Sequence, residues 1–138
     1  MPSATAVRIG GHFPGQLVLH FDGHVFHADG FVNVPSGRTP GANRARTQRR
    51  EIVGVEKGMG MSTYAFMWSI PNMIPLGPEE VMAIWKALRG FEWTATHGLF
   101  VGFDVRGQDV KGRLLESMQN QVRRMGWTEH AILRERVA

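Results

Sequence analysis

Residues 16–28, QLVLHFDGHVFHA, decide how the first part of this chain folds. The Asp22-Gly23 pair at their centre is a strong signal for a two-residue hairpin turn, because both turn positions need backbone conformations that Asp and Gly adopt readily. The turn predicts an antiparallel, half-buried hairpin with Phe21 opposite His24. One face of the hairpin is mostly apolar and consists of Leu17, Leu19, Phe21, His24, Phe26 and Ala28. The other face consists of Gln16, Val18, His20, Val25 and His27.

Further strands and two helices are predicted outward from this hairpin. Short strands are expected at residues 6–9 and 91–96. The first helix begins at Pro78, a common residue type at the first helical position, and Gly90 ends it. The second helix covers residues 109–125 and carries an apolar stripe. The order strand, hairpin, loop, helix, strand, helix predicts an α/β domain, in which helices pack on one face of a sheet.

Composition bounds the class of protein. The chain has 138 residues, of which 43% are hydrophobic and 20% charged, as in a single globular domain. It has no cysteine, which excludes disulfides, cysteine-ligated zinc fingers and thiol nucleophiles. The net charge of +4 is mild and requires neither nucleic acid nor a membrane as partner. No apolar run is long enough for a transmembrane helix, and no secretory signal is recognisable. We therefore expect no membrane partner and a cytoplasmic location.

A basic segment interrupts the predicted domain. Residues 35–61 have no helix or strand period and carry five arginines between positions 38 and 50, so a long flexible basic loop is expected there. The domain itself is assigned to residues 1–126, and a charged tail at 127–138 is expected to fray. No aromatic residue is interleaved with these arginines. Because nucleic-acid surfaces usually add stacking residues, a solvated loop is favoured over nucleic-acid binding.

Three residues at predicted strand ends are the candidates for chemistry. His12 lies in GGHFPG, His97 in ATHGLF and Asp29 in HADG, each with a neighbouring glycine that lets a ligand approach the backbone. Two histidines and an aspartate suit zinc, iron or manganese. By spacing alone, single histidines and aspartates in loops are more often turn or cap residues than ligands, by about four to one. Both interpretations stay open at this point.

Residues 10–32, GGHFPGQLVLHFDGHVFHADGFV, resemble the metallo-β-lactamase superfamily, which carries a G-H-x-P-G motif, a hairpin, and then an aspartate in a G-D-T or A-D-T motif. Residues 63–88, TYAFMWSIPNMIPLGPEEVMAIWKAL, and 94–102, TATHGLFVG, are similar to an uncharacterised branch of that superfamily with a P-N-x-I-P-L segment. The similarity covers residues 7–126. It implies that the chain is the C-terminal half of an αββα sandwich, with a mixed or antiparallel sheet and helices on one face.

The resemblance also implies roles for the three candidates. His12 matches a histidine that binds the first of two metal ions, Asp29 the aspartate that bridges both ions, and His97 a ligand of the second ion. Gly11 and Pro14 match the turn that holds the first of these ligands. In the family, the two ions, zinc or alternatively iron or manganese, polarise the scissile bond and hold the hydroxide nucleophile. The implied reaction is hydrolysis of an ester, thioester, lactone or similar bond in a small-molecule substrate.

The chain departs from the family in one decisive respect. It lacks the H-x-H-x-D-H hallmark of the N-terminal half, so neither metal position has the three protein ligands of a catalytic zinc. The sequence therefore leaves open whether the chain is an enzyme and which residues are catalytic. It predicts a fragment, a half-domain that pairs with itself or with a complementary half-domain, or a degenerate relative. The alternative function is a non-catalytic binding module that uses the uncovered sheet face and the basic loop.

Other features have competing interpretations. The aromatic and methionine-rich segment is expected to pack in the core, with a substrate pocket as the alternative; it comprises Phe66, Met67, Trp68, Met73 and Ile74. Asn72 is either a turn residue or a polar substrate contact. His20 and His27 lie diagonally on one hairpin face, where packed or solvated histidines are favoured over a metal site. Serine hydrolysis is disfavoured because no G-x-S-x-G motif occurs.

Overall fold

The computed structural model describes residues 1–34 and 62–138. The basic loop predicted at 35–61 lies outside the described residues. The strands of the described part are β1 (Thr5–Arg8), β2 (Leu17–Phe21), β3 (His24–Phe26), β4 (Val32–Asn33), β5 (Tyr64–Ala65), β6 (Met67–Ser69), β7 (Ile74–Pro75), β8 (Ala95–His97) and β9 (Asp104–Arg106). Its helices are α1 (Pro78–Leu88), α2 (Val110–Arg124) and a short 3-10 helix at Ala131–Arg134.

Five of the strands form the main sheet, in the order β1-β2-β3-β8-β9. Strands β3 and β8 are parallel, and the other neighbours are antiparallel. Two small antiparallel pairs accompany this sheet, β4 with β5 and β6 with β7. The prediction of an α/β fold with a mixed sheet is therefore confirmed.

The hairpin formed by β2 and β3 has the predicted register. Phe21 lies opposite His24 and Leu19 opposite Phe26. At the turn, Asp22 has φ +47° and Gly23 has φ +76°. Positive φ at both positions is the requirement of the type I′ turn, which matches the right-handed twist of the strands. The local turn chemistry is thus sufficient to set this register.

Both helices have the termini that the sequence predicts. Pro78 is the first residue of α1, and Glu79 and Glu80 lie in its first turn, where the helix dipole favours negative charge. Gly126 follows α2 with φ +95°, a conformation that glycine adopts without steric cost. These local signals account for where the helices begin and end.

One face of the main sheet, here called the inner face, packs against both helices. Val7, Val18, Val25 and Val105 of this face belong to one apolar core together with residues of the helices. The helix residues buried in that core include Val81, Ile84, Trp85, Leu88, Leu114, Met118 and Val122. The helices therefore cover one side of the sheet, as the α/β prediction requires.

The opposite face, here called the outer face, carries the mostly apolar side of the hairpin. Its residues on β2, β3, β8 and β9 are Leu17, Leu19, Phe21, His24, Phe26, Ala95, His97, Asp104 and Arg106. The exposed fractions are 51% for Leu17, 41% for Leu19, 38% for Phe21 and 41% for Phe26. By contrast, Val18 and Val25 are 2% and 1% exposed. The hairpin is half-buried, but its more apolar face is the one left exposed.

The C-terminal tail is docked and not frayed. Ile132 is fully buried, and Trp85 of α1 donates its indole N–H to Glu135 Oε2 at 2.7 Å. His130 is bonded to Glu79 at 2.8 Å. These contacts tie the tail to α1, which the charge-rich sequence of the tail did not predict.

The described helices include none that is long and apolar enough to cross a bilayer.

Candidate functional site

The turn that carries His12 is built on two glycines. Gly10 has φ +64° and Gly11 has φ +86°, both in the left-handed region. A Cβ added to Gly11 would lie 2.9 Å from Leu76 Cδ1 and 3.1 Å from Ile84 Cδ1. Glycine is therefore required there for the close approach to α1 as well as for the backbone conformation. The turn therefore packs closely against the core residues Leu76 and Ile84.

His12 is oriented by a backbone carbonyl. Its Nδ1 lies 3.1 Å from the carbonyl oxygen of Met67 on β6, which accepts and cannot donate. The proton of the neutral ring is therefore on Nδ1, and the lone pair is on Nε2. This is the arrangement in which histidine binds metals, with the other ring nitrogen fixed by a hydrogen bond.

Asp29 and His97 lie in different surroundings. Asp29 is half-buried in the turn after β3. The hydrogen-bond partners of the His97 ring are His24 and Asp104, and His12 and Asp29 are not among them. The His97 ring also stacks on Phe26, with 4.7 Å between the ring centroids. The three residues that the resemblance assigns to one site thus have no hydrogen-bond or ring partner in common.

His24, His97 and Asp104 form a connected chain on the outer face. Nδ1 of His24 is 2.8 Å from Nε2 of His97, and Nδ1 of His97 is 3.2 Å from Asp104 Oδ2. Because a carboxylate accepts, the proton of the neutral His97 ring is on Nδ1, and its Nε2 accepts from His24. Arg106 lies 3.6 Å from the same Asp104 oxygen. Sequence reasoning missed His24 and Asp104, because the pairing of β3 with β8 and β9 is not visible in local patterns.

His27 is buried on the other side of the hairpin. Its Nδ1–H donates to the carbonyl oxygen of Phe31 at 2.7 Å, and burial lowers its pKa to about 4. Its Nε2 has no hydrogen-bond partner among the described residues, and the same holds for Asn33 Oδ1. A Cβ at Gly98 would lie 3.3 Å from Asn33 Oδ1 and 3.5 Å from His27 Cε1. His27 is therefore a packed, neutral histidine.

The remaining sequence candidates are now located. His20 contacts the carbonyl oxygen of Glu92, so it does not pair with His27. Asn72 donates to Ser69 at 2.9 Å within the β6–β7 turn, as a turn residue does. Of the aromatic and methionine-rich segment, only Phe66 is fully buried. Trp68, Met73 and Ile74 are exposed by 57%, 78% and 43%, so the expectation of core packing is wrong for them.

A cavity of about 350 Å³ lies beside β5 and β7. Its lining is mostly apolar, with Arg124 as the charged residue, and is formed by Val34, Ser62, Tyr64, Ala65, Pro75, Gln121, Arg124 and Met125. Neither His12 nor Asp29 is part of this lining. The cavity and the predicted metal ligands therefore do not form one site.

A complete metal centre is not present within residues 1–34 and 62–138. No three His, Cys, Asp or Glu side chains in these ranges are grouped so that they could hold one ion. His12, Asp29 and His97 all lie in these ranges, so as placed they do not fit the site that the resemblance implies. The metal site accordingly stays a prediction. Comparison with protein families, curated proteins and solved structures gives no match to this chain.

Proposed function

We propose that this chain is a metallo-β-lactamase-like hydrolase half-domain, the C-terminal half of that fold, with an incomplete site. Hydrolysis of an ester, thioester or lactone bond then requires a further chain that completes the ligand set. The observation that supports this is the setting of His12, whose Nδ1 is fixed by the Met67 carbonyl while its Nε2 keeps a lone pair. The glycine turn and the hydrogen bond to Met67 together set the position and the tautomer of the His12 ring.

The proposed ligands contribute unequally. His12 is ready to bind an ion through Nε2, and Asp29 offers a carboxylate at the end of the hairpin. His97 would first have to release His24, its partner at 2.8 Å. A zinc, iron or manganese ion at His12 and Asp29 alone has two protein ligands, one fewer than catalytic zinc sites provide. The proposal therefore expects weak metal binding by the isolated chain and no hydrolysis without a completing partner.

Metal titration tests this proposal. Chelator-treated His24→Gln protein, in which the His24–His97 pair cannot bind metal through His24, is titrated with Zn²⁺ in a calorimeter, and the same titration is made with His12→Ala or Asp29→Ala added. Each variant is expected to weaken binding by about tenfold or more, since each removes a ligand. His20→Gln is the matched control, because it removes one histidine but keeps an amide donor for the Glu92 carbonyl. Binding that survives both ligand variants unchanged would refute the proposed site.

A non-catalytic binding module is the second candidate function. The exposure of four large apolar side chains on the outer face favours it, because a surface of this kind is typical of interaction sites. The two functions differ in one readout. A binding module gives no hydrolysis of 4-nitrophenyl acetate or a thioester at any zinc concentration, with or without a bound partner. Metal-dependent turnover in a complex would exclude it.

A further inference from the structure

The outer face carries apolar area that both helices leave uncovered. Leu17, Leu19, Phe21 and Phe26 are each exposed by 38–51%. Four such side chains offer on the order of 300–400 Å². A stable interface buries about 800 Å² on each partner, so apolar contact through this face alone supports only weak association. Something further is needed on the same face if it is to bind a partner tightly.

The His24–His97 pair on this face brings two imidazole nitrogens together, where structural zinc takes four ligands. Asp104 holds the proton of His97 on Nδ1, which keeps the lone pair of Nε2 directed at His24. A carboxylate on the far nitrogen of a histidine is the common second partner of metal-binding histidines. The two facing nitrogens are 2.8 Å apart. Tetrahedral zinc with Zn–N bonds of about 2.0–2.1 Å separates its ligands by about 3.3 Å. To admit the ion, the two nitrogens must therefore separate by about half an ångström, and both rings must rotate so that their lone pairs converge on it.

A second copy of the chain supplies the other half. Structural zinc takes four ligands, and a two-fold axis turns two histidines into four. Strand β3 is central in the order β1-β2-β3-β8-β9, so an axis parallel to the strands and above β3 stacks β3 on its own copy. The same axis places β2 over β8 of the other copy, and β1 over β9 of the other copy. His24 and His97 then lie near the axis, and Ala6 of β1, which is at the level of Leu19 and Phe26, lies over Asp104 of the other copy.

Charge and spacing agree with this arrangement. Stacked sheets lie about 10 Å apart, so side chains from both faces meet in the middle. The two Asp104 carboxylates lie behind the His97 rings, and each is also 3.6 Å from Arg106 of its own copy, whose side chain is 60% exposed. When Nδ1 of His24 binds the ion, its proton moves to Nε2, so the ring stays neutral. The apolar residues of β2 are covered at the same time.

We propose that two copies of this chain associate through their outer faces and hold one zinc ion between the His24 and His97 side chains of both copies. The site uses neither His12 nor Asp29 and therefore does not rest on the proposed hydrolytic function. His97 cannot serve both sites at once. In a zinc-bridged pair, it belongs to the outer face.

Light scattering during size-exclusion chromatography tests the proposal. At micromolar protein, the wild-type chain is expected to elute as a monomer in EDTA and as a dimer with Zn²⁺, with one ion bound per two chains. His24→Gln and His24→Ala are expected to lose the zinc-induced dimer, and circular dichroism checks that both fold. His20→Gln is the matched control and keeps it. A wild-type chain that stays monomeric with Zn²⁺, or a His24 variant that still dimerises with it, overturns the proposal.

Two further measurements separate this site from the proposed hydrolytic one. Asp104→Asn is expected to lower the Zn²⁺ affinity of the dimer by about 10–100-fold, because it removes the charge behind His97. Asp22→Asn, in the adjacent turn, is its control and leaves the affinity unchanged. His12→Ala and Asp29→Ala are also expected to leave the dimer intact. If those two variants abolish the dimer while His24→Ala does not, the ion is at the hydrolytic site and the outer-face proposal fails.

Discussion

At the scale of single residues, the six histidines differ mainly in what fixes their tautomer. His12 and His27 both donate from Nδ1 to a backbone carbonyl, yet one has a half-exposed ring and the other a buried one. A lone pair near solvent is available to a ligand. A buried lone pair without a partner costs free energy instead. The same hydrogen-bond pattern therefore leaves the Nε2 lone pair of His12 open to a ligand and gives His27 a stability cost.

The burial of His27 makes stability depend on pH. Its pKa is about 4 in the folded chain and 6.5 when exposed, so between these values the unfolded chain binds a proton that the folded chain does not. The contribution of neutral His27 is fully present above pH 6.5 and is lost as the pH falls towards 4, by roughly 3 kcal/mol. Urea unfolding of wild type and His27→Gln between pH 4 and 7 measures it. The free energy of unfolding of wild type relative to His27→Gln should fall by roughly 3 kcal/mol between pH 6.5 and pH 4, and parallel curves would contradict the assignment.

At the scale of elements, the β6–β7 ribbon keeps a strained residue at its tip. Met73 has φ +54° and a side chain that is 78% exposed. The left-handed conformation costs a residue with a Cβ about 1–2 kcal/mol, and the exposed side chain recovers little of it. Met73→Gly is therefore expected to raise the free energy of unfolding by roughly 0.5 kcal/mol, after the entropy cost of glycine. Ile74→Gly, in the neighbouring strand position, should instead lower it. A destabilising Met73→Gly would show that the Met73 side chain packs usefully.

The contact between α1 and the tail is the other testable feature at this scale. Trp85 is 1% exposed, and its indole N–H donates to Glu135 Oε2. Removing the acceptor leaves a buried donor unpaired, so Glu135→Ala is expected to cost about 1–3 kcal/mol in chemical unfolding. Glu135→Gln keeps an amide oxygen and should restore most of the loss. Glu129→Ala, an exposed tail position, is the control and should change stability by under about 0.5 kcal/mol. Equal stability of Glu135→Ala and wild type would mean that the tail does not stabilise α1.

At the scale of the whole molecule, local patterns predicted the elements but not how they come together. The Asp22-Gly23 turn and the Pro78 and Gly126 helix ends are local, and all three are found where expected. The pairing of β3 with β8 brings together His24 and His97, which are 73 positions apart, and no local period reports it. Which face of the hairpin is buried depends on where the helices pack. For the site, spacing proposed His12, Asp29 and His97, and their roles came only from resemblance.

The two faces of β3 give the last prediction, because adjacent residues on one strand should behave in opposite ways. Val25 is 1% exposed in the core, so Val25→Ala is expected to cost about 2 kcal/mol from lost methyl groups and the cavity left behind. Phe26 is 41% exposed on the outer face and stacks on His97, so Phe26→Thr, which keeps a strand-forming residue, should cost about 1 kcal/mol, mainly from the lost ring contact. Urea unfolding in EDTA measures the free energy of unfolding of both variants as monomers. In Zn²⁺, dilution of the dimer measures its dissociation. There the order of the two variants should reverse, because Phe26→Thr weakens the dimer and Val25→Ala does not. If Phe26→Thr is the more destabilising variant in EDTA, the apolar face of the hairpin is buried within the single chain, and no second copy is needed to cover it.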